Sequence, residues 1–505
     1  MKYRVHSLYD QRIAVIAFVA GASICAHAGE STVDANAQFA RDFYASRVSM
    51  LMTSDSSNTL GGGGVYVPYY EGFIQCLPDE VDLCGFRASG STGNNGVNDY
   101  MRFSGGSSSQ LVSGRVFEFA PGLPINLIHN PPPGPRYEIQ VIPEGMLRSN
   151  GTNRFSSNGL TNLAGIYPDA DNWGQDETLI LRTPFYVSDD GSMIESVSMS
   201  LLTDHDGSAG LAVHSFDPQP RMDIHFSTDH IGLQLVDAVF ENTPTTRIGV
   251  RFSGDTDLDD ADEPGKRVVW FNPILYKQKF ANANHGFYID NISAGGFSVF
   301  DQISALDPDL IDDFFQTVPR PFNASMIWLG QNAESDEWNG ELGQVWGERI
   351  EELGDVMIQA GIDAGYAQAV TPVLITPPRA EGTYPNSRFS AMNEALDEIA
   401  SRRGWVHFDF HSLVGDSLGN INPDFVGGNP HPSQSGTTFV LEKFYRHLNC
   451  LRAEFSGDDT RNFFDVSAFL MLYNSNDPQA DMNGDGALNF FDVSAFLTAF
   501  NADCP

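Results

Sequence analysis

Four short polar turns carry the residue types that ester hydrolysis needs. TSDSS at 53–57 places four hydroxyls and a carboxylate directly after the apolar run Met50-Leu51-Met52. NISAGG at 291–296, GQNA at 330–333 and GGNPHPS at 427–433 follow further along the chain. A serine hydroxyl attacks a carbonyl when a base takes its proton, and His431 is the candidate base for Ser56. The oxyanion that forms needs donors fixed in advance, a single good one being worth about 3–4 kcal/mol. The backbone N–H groups of Ser56 and Gly296 and the side-chain amide of Asn332 are the candidates, and Gly296 has no side chain to block an acyl oxygen. Ser54 and Ser57 are rival nucleophiles. His407 and His411, in VHFDFH, read as packing or capping residues on a strand.

These turns can act together only if a scaffold brings them to one place. Apolar runs precede three of them: 50–52, 287–289 and 324–329. Between the last two turns the pattern predicts a helix over roughly 341–364, a strand over Val370–Thr376, a helix over about 388–403 and a strand over Trp405–Phe410. An amphipathic helix follows His431. Strands alternating with helices imply a mostly parallel sheet with helices on both faces, and in such sheets chemistry gathers beyond the carboxyl ends of the strands. Some 220 residues separate the first turn from the second, too many for a loop. Within them, ETLILRTPFYV, SVSMSLLT, GLAVHSF, MDIHFS, RIGVRFSG and RVVWFNPILY alternate in a two-residue period between turn signals, which predicts an inserted β-sandwich.

In this order the turns resemble the blocks of the SGNH hydrolases, the GDSL-type esterases and lipases. Ser54-Asp55-Ser56 aligns with Gly-Asp-Ser, with Ser in place of Gly. Asn291 to Gly296 aligns with Asn-x-Gly-x-x-Gly, Gly330-Gln331-Asn332-Ala333 with Gly-x-Asn-Asp, and His431 followed by Pro-Ser with the last block. The resemblance covers residues 40–65 and 286–448. It implies a three-layer α/β/α core and a carboxylic ester hydrolase with Ser56 as nucleophile, His431 as base and Gly296 and Asn332 in the oxyanion hole. The family's acid, three residues before the histidine, is here Gly428. A Ser–His dyad leaning on a backbone carbonyl, an acid relocated to Asp424, and degraded catalysis are the three readings of that change. Some members that deacetylate polysaccharides carry a β-domain at the same point, which makes acetylated polysaccharide the expected substrate. A lipase, or a catalytically degraded glycan-binding or scaffold component, is the alternative.

NFFDVSAFL occurs at 462–470 and again at 489–497, a period of 27 residues. Before the second copy, DMNGDGALNFFD sets oxygen ligands at Asp481, Asn483 and Asp485, a turn glycine at 486, the Ala487 carbonyl, Asn489, and Asp492 to close the loop, the spacing of a calcium site. The first loop is poorer, with Glu454, Ser456 and Asp458, Asp459 in place of the turn glycine, and Asp465. Two such half-hands resemble a dockerin, which implies structural calcium and a cohesin-like protein partner.

The first 28 residues read as a secretory signal peptide: Lys2, Arg4 and Arg12, the apolar run 13–20, then Ala26-His27-Ala28. The expected organisation is therefore a signal at 1–28, core at 29–75, insert at 76–285, core again at 286–448 and the dockerin-like module at 449–505. The protein is expected to be exported, with no membrane span. Residues 1–28 hold three of the 29 Lys+Arg and one of the 65 Asp+Glu, so the mature net charge is −38. Such a surface repels nucleic acid. Four cysteines remain, and proximity predicts the pairs Cys76–Cys84 and Cys450–Cys504.

Overall fold

The computed structural model describes residues 32–58, 69–87, 286–293, 298–305, 308–318, 320–330, 342–378, 386–414, 434–458 and 460–504. Between 88 and 285 it describes only the backbone of strands, among them those named below. The predicted signal at 1–28 lies outside the described residues. No helix among the described residues is long and apolar enough to cross a membrane.

Six parallel strands form the core: β1 (Ser49–Ser54), β2 (Leu83–Arg87), β3 (Phe287–Asn291), β4 (Ala324–Trp328), β5 (Thr371–Thr376) and β6 (Val406–Asp409). They lie in the order β6-β5-β4-β1-β3-β2, every neighbouring pair parallel. Every residue of β1, β3 and β4 is buried. A strand buried at successive positions has both faces covered, which is why these segments read as continuous runs rather than alternating ones.

Ten helices are described: α1 (Thr32–Tyr44), α2 (Tyr69–Gln75), α3 (Val299–Ala305), α4 (Pro308–Thr317), α5 (Leu342–Asp363), α6 (Asn386–Arg403), α7 (Phe410–Val414), α8 (Gln434–Leu451), α9 (Phe463–Ser475) and α10 (Phe490–Phe500). Helices α1, α2, α7 and α8 pack as one set, and α3 to α6 as another. The predicted helices at 341–364 and 388–403 are α5 and α6. In α5, Trp346, Ile350, Leu353, Met357 and Ala360 are all buried, a three-and-four spacing that makes one apolar stripe. The predicted strand 405–410 is shorter: the chain turns into α7 at Phe410, whose ring meets those of Trp328 at 4.9 Å and Phe444 at 4.9 Å.

The strand runs expected in the insert are present at Glu177–Arg182, Ser196–Thr203, Ser208–Ser215, Arg221–Ser227, Arg247–Gly254, Val268–Phe271 and Ile274–Tyr276, with Gly232–Val239 in addition. Some of them continue the core sheet. Ile274–Tyr276 pairs antiparallel with β2, and Ser196–Thr203 pairs with Ile274–Tyr276, so the core sheet runs on into the insert. A second sheet of six strands holds Arg221–Ser227, Ser208–Ser215, Arg247–Gly254 and Glu177–Arg182 in that order.

Cys450 and Cys504 form the predicted disulfide, 54 residues apart. The pairing of Cys76 with Cys84 is overturned: both are free thiols. Eight residues of separation do not bring them together, because each thiol is engaged elsewhere. Cys84, on β2, donates to the Phe287 carbonyl at 3.1 Å beside the buried Arg320, whereas Cys76 follows α2 and meets Thr438 and Glu442 of α8. Burial pushes both thiols up to about 11, so neither is a reactive thiolate at neutral pH.

The C-terminal repeat folds as two loop–helix units whose helices pack through Phe469 and Phe496, stacked at 4.2 Å. This module rests on the core. Arg47, after α1, pairs with Asp481, and Arg41 donates to the Glu454 carbonyl at 2.6 Å while lying over the Phe455 ring. Gly484, with φ +75°, abuts the Ala45 carbonyl so closely that a Cβ there would sit 2.2 Å from its oxygen.

Candidate active site

Taken without β2, the core strands run β3-β1-β4-β5-β6, the doubly wound order in which the connection reverses between the first strand and its neighbour β4. TSDSS leaves the carboxyl end of β1 and GQNA leaves that of β4, so two predicted turns open onto this switch point. NISAGG leaves β3 on the other side of β1. Ser56 is the first residue of a 3₁₀ turn, Ser56–Asn58. Gly296, Asn332, Asp424 and His431 lie outside the described residues, as does Asp459. The flanking elements place their chain segments: Gly296 lies between β3 and α3, Asn332 two residues past Gly330, and His431 three residues before α8.

The turn at Ser56 is built from buried polar groups. Asp55 Oδ1 accepts the N–H of Ser57 at 2.9 Å, and the Asp55 carbonyl accepts that of Asn58 at 3.2 Å, which closes the turn. Ser54 Oγ donates to the Trp328 carbonyl at the end of β4 at 2.6 Å. Asn58 Nδ2 donates to Ser54 Oγ at 2.7 Å, and Asn291 Nδ2 donates to the Asn58 carbonyl at 3.2 Å. Gln302, from α3, donates to the Ser54 carbonyl at 2.9 Å. The two rival serines are thereby accounted for: both are buried, Ser54 hydrogen-bonded as above and Ser57 Oγ 3.3 Å from Asn58 Nδ2. Asn58 and Gln302 were missed in the sequence. Asn58 looked like one more turn residue, and Gln302 was one polar position in a short helix.

The neighbouring turns are held as firmly. Asn291 Oδ1 accepts the Ser293 N–H at 2.9 Å, bending the chain after β3. Gly330 has φ +140°, and a Cβ there would lie 2.5 Å from Met392 Cε, so only glycine starts the turn that leads to Asn332. Arg388 holds the Gly330 carbonyl at 3.2 Å. His407 and His411 pack, as expected. His407 Nε2 is 2.9 Å from Thr376 Oγ1, and burial lowers its pKa; His411 stacks on Phe389. A cleft of about 590 Å³ between core and module is lined by Val48, Ala324, Thr371 and Val406. These stand at the amino ends of the strands, so the cleft is on the wrong side of the sheet for Ser56.

In the second calcium-type loop Asp481 accepts the N–H groups of Gly484 and Gly486 at 2.9 and 3.1 Å, and Gly486 turns the chain at φ +79°. Asp485 accepts the Ala487 N–H at 2.8 Å and the Asn483 amide at 3.1 Å. Asn489 caps α10, and Asp492 closes the capping box and accepts the Met482 N–H at 2.9 Å. Among the described residues no three His, Cys, Asp or Glu side chains converge. The loop's donors are instead mixed: the carboxylates Asp481 and Asp485, Asn483, and the Ala487 carbonyl. That is the oxygen-only chemistry of a hard cation.

The first loop satisfies itself. Glu454 Oε1 accepts the Ser456 N–H at 2.9 Å and the Gly457 N–H at 2.8 Å. Burial, then the adjacent Asp465, raises its pKa. Burial also opposes charge on Asp465, but backbone donors of Asn462, Phe455 and Ser456 outweigh it and lower that pKa. A raised acid favours the fold while protonated, so its contribution is whole below the ordinary 4.5 and is lost as pH rises through the folded value. Glu454→Gln keeps the accepting oxygen and does not titrate. Thermal melts of the variant are therefore expected to exceed wild type by a margin that widens from about pH 4.5 to neutrality; a margin that shrinks with pH contradicts this account.

No family model matches the chain, and no curated protein matches it. Solved structures similar to parts of it include a carbohydrate acetylesterase from Sinorhizobium meliloti, 12% identical over 32% of this chain and 76% of that one, with a TM-score of 0.23. The aryl esterase of M. smegmatis is 13% identical over 33% and 79%, with a TM-score of 0.25. A family two carbohydrate esterase from Clostridium thermocellum is 11% identical over 54% and 90%, with a TM-score of 0.22.

Proposed function

We propose that this chain is an exported serine ester hydrolase that removes acetyl groups from a polysaccharide. The observation that carries this reading is the place of Ser56: first residue of a buried, hydrogen-bonded turn at the carboxyl end of β1, beside the switch point of a parallel sheet. Ser56 Oγ attacks the acetyl carbonyl and passes its proton to His431. The N–H groups of Ser56 and Gly296 and the Asn332 amide hold the oxyanion. His431 then protonates the departing sugar oxygen; afterwards it takes a proton from the water that attacks the acetyl-serine and returns it to Ser56 Oγ as acetate leaves. Asp424 or a backbone carbonyl orients the imidazole in place of the acid that Gly428 lacks. The insert, folded as a sandwich, holds the glycan over Ser56.

The test is acetate release from acetylated polysaccharides and small acetyl esters by purified protein, together with labelling of Ser56 by a fluorophosphonate. Absence of both sinks the proposal. Gly428 favours a second reading, a glycan-binding component without turnover, which retains the protein on the polysaccharide and releases no acetate.

For the C-terminal module we propose a calcium-bound docking unit. Asp481, Asn483, Asp485, the Ala487 carbonyl, Asn489 and Asp492 are the residues toward calcium, which would supply a fixed positive centre for the loop. Phe463, Phe464, Phe490 and Phe491, between 67% and 74% exposed, support a surface for a cohesin-like protein. Calcium at a hundredfold excess over its dissociation constant is expected to stabilise the module by about 2.7 kcal/mol, read as a rise in its melting temperature that EDTA reverses. No calcium-dependent shift, at any concentration up to 10 mM-scale titration (~10 mM, far above the usual range of such loops), argues against it.

A further inference from the structure

We infer that Ser54, Asn58 and Gln302 form a clamp that positions Ser56; this rests on Ser56 being the nucleophile. A nucleophile on a strand-to-turn junction is useful only if its backbone is held against movement, since a misplacement near 1 Å costs about a hundredfold in rate. Here the junction is gripped from three directions. Ser54 Oγ ties β1 to the Trp328 carbonyl of β4, and Asn58 reaches back across Ser56 to the same hydroxyl at 2.7 Å. Gln302 holds the Ser54 carbonyl from α3 at 2.9 Å. Ser54 and Asn58 thus form a pair, each side chain giving the other its partner, on either side of Ser56.

A merely structural role fits the side chains poorly. Ser54, Asn58 and Gln302 are all completely buried, in a core that β1 otherwise fills with Met50, Leu51 and Met52. Asn58 Oδ1 and Gln302 Oε1 have no hydrogen-bond partner among the described residues. Leaving buried acceptors unsatisfied costs stability that apolar side chains would not. Such expense is characteristic of groups kept for what they place. Asn58 and Gln302 are accordingly positioning residues, not catalytic ones: they act through the backbone on either side of Ser56.

The experiment compares wild type with Asn58→Ala, Ser54→Ala, the double variant and Gln302→Ala. Each receives an acetyl-ester kinetic assay, a fluorophosphonate inactivation rate and a thermal melt, with active sites counted by titration so that only folded protein enters kcat. The expected result is a kcat lower by about 10- to 100-fold with KM within about twofold, and a matching fall in inactivation rate. The double variant should be no slower than the slower single one, because the two side chains serve one contact. Variants with wild-type kcat, or with raised KM and unchanged kcat, overturn the clamp. Wild type that is never labelled at Ser56 overturns instead the nucleophile assignment beneath it. Asn58→Ala that fails to fold leaves Gln302→Ala, on a different element, to decide.

Discussion

Ser56→Ala is expected to lower kcat on acetyl esters by about 10⁴-fold or more while changing the melting temperature little. Removing a nucleophile that acts as a unit with its base costs nearly all the covalent contribution to catalysis, and only binding and the oxyanion donors remain. Stability should change far less than activity, because Asp55 and backbone groups close the turn through the N–H groups of Ser57 and Asn58. Ser57→Ala is the informative control. Its hydroxyl is buried and only a weak partner of Asn58 at 3.3 Å, so the variant should keep activity within about tenfold of wild type. Acetate release by Ser56→Ala at the wild-type rate would mean that the reaction, if any, runs on another residue.

The largest stability effect is expected at Trp328. Its side chain is fully buried, stacks on Tyr69 at 4.5 Å, and meets Phe410 and Phe73 at 4.9 and 6.3 Å. It therefore joins β4 to α2 and α7 directly below the Ser56 turn. Trp328→Ala should cost about 3–5 kcal/mol in urea unfolding. It should also abolish activity in the protein that remains folded, since Tyr69 and Phe73 would lose the surface that seats α2. Trp328→Phe should cost much less, because the buried indole N–H has no partner among the described residues and its loss forfeits only volume. Equal losses from the two substitutions would show that packing at Trp328 is not what holds these elements.

Local patterns along the chain were legible, whereas the contacts between distant segments were not. Ser56 could be singled out because a cluster of hydroxyls after Met50-Leu51-Met52 is unusual for a buried strand. The alternation of strands and helices over 324–410 follows from local periodicity, so β4, β5, β6, α5 and α6 lie close to their expected spans. The turns of the C-terminal loops were readable for a different reason: Asp481, Asn483 and Asp485 stand two residues apart, so local sequence shapes their hydrogen bonds. The Cys450–Cys504 bridge was legible from parity, whereas parity and proximity failed for Cys76 and Cys84.

What failed was non-local. Nothing near residue 84 reveals that its strand adds in parallel to β3, some 200 residues later, or that Ile274–Tyr276 carries the core sheet onward. Gln302 was invisible because its partner, the Ser54 carbonyl, lies 248 residues away, and the contact of Arg47 with Asp481 spans 434. By itself the sequence determined the parallel α/β class and the spans of the elements over 324–410, both of which depend on neighbours along the chain. Only the tertiary structure decided which side chains tie the turn after β1 to β4 and α3. Those depend on hydrogen bonds between strand ends, and a strand end has no knowledge of its neighbour until the sheet has formed.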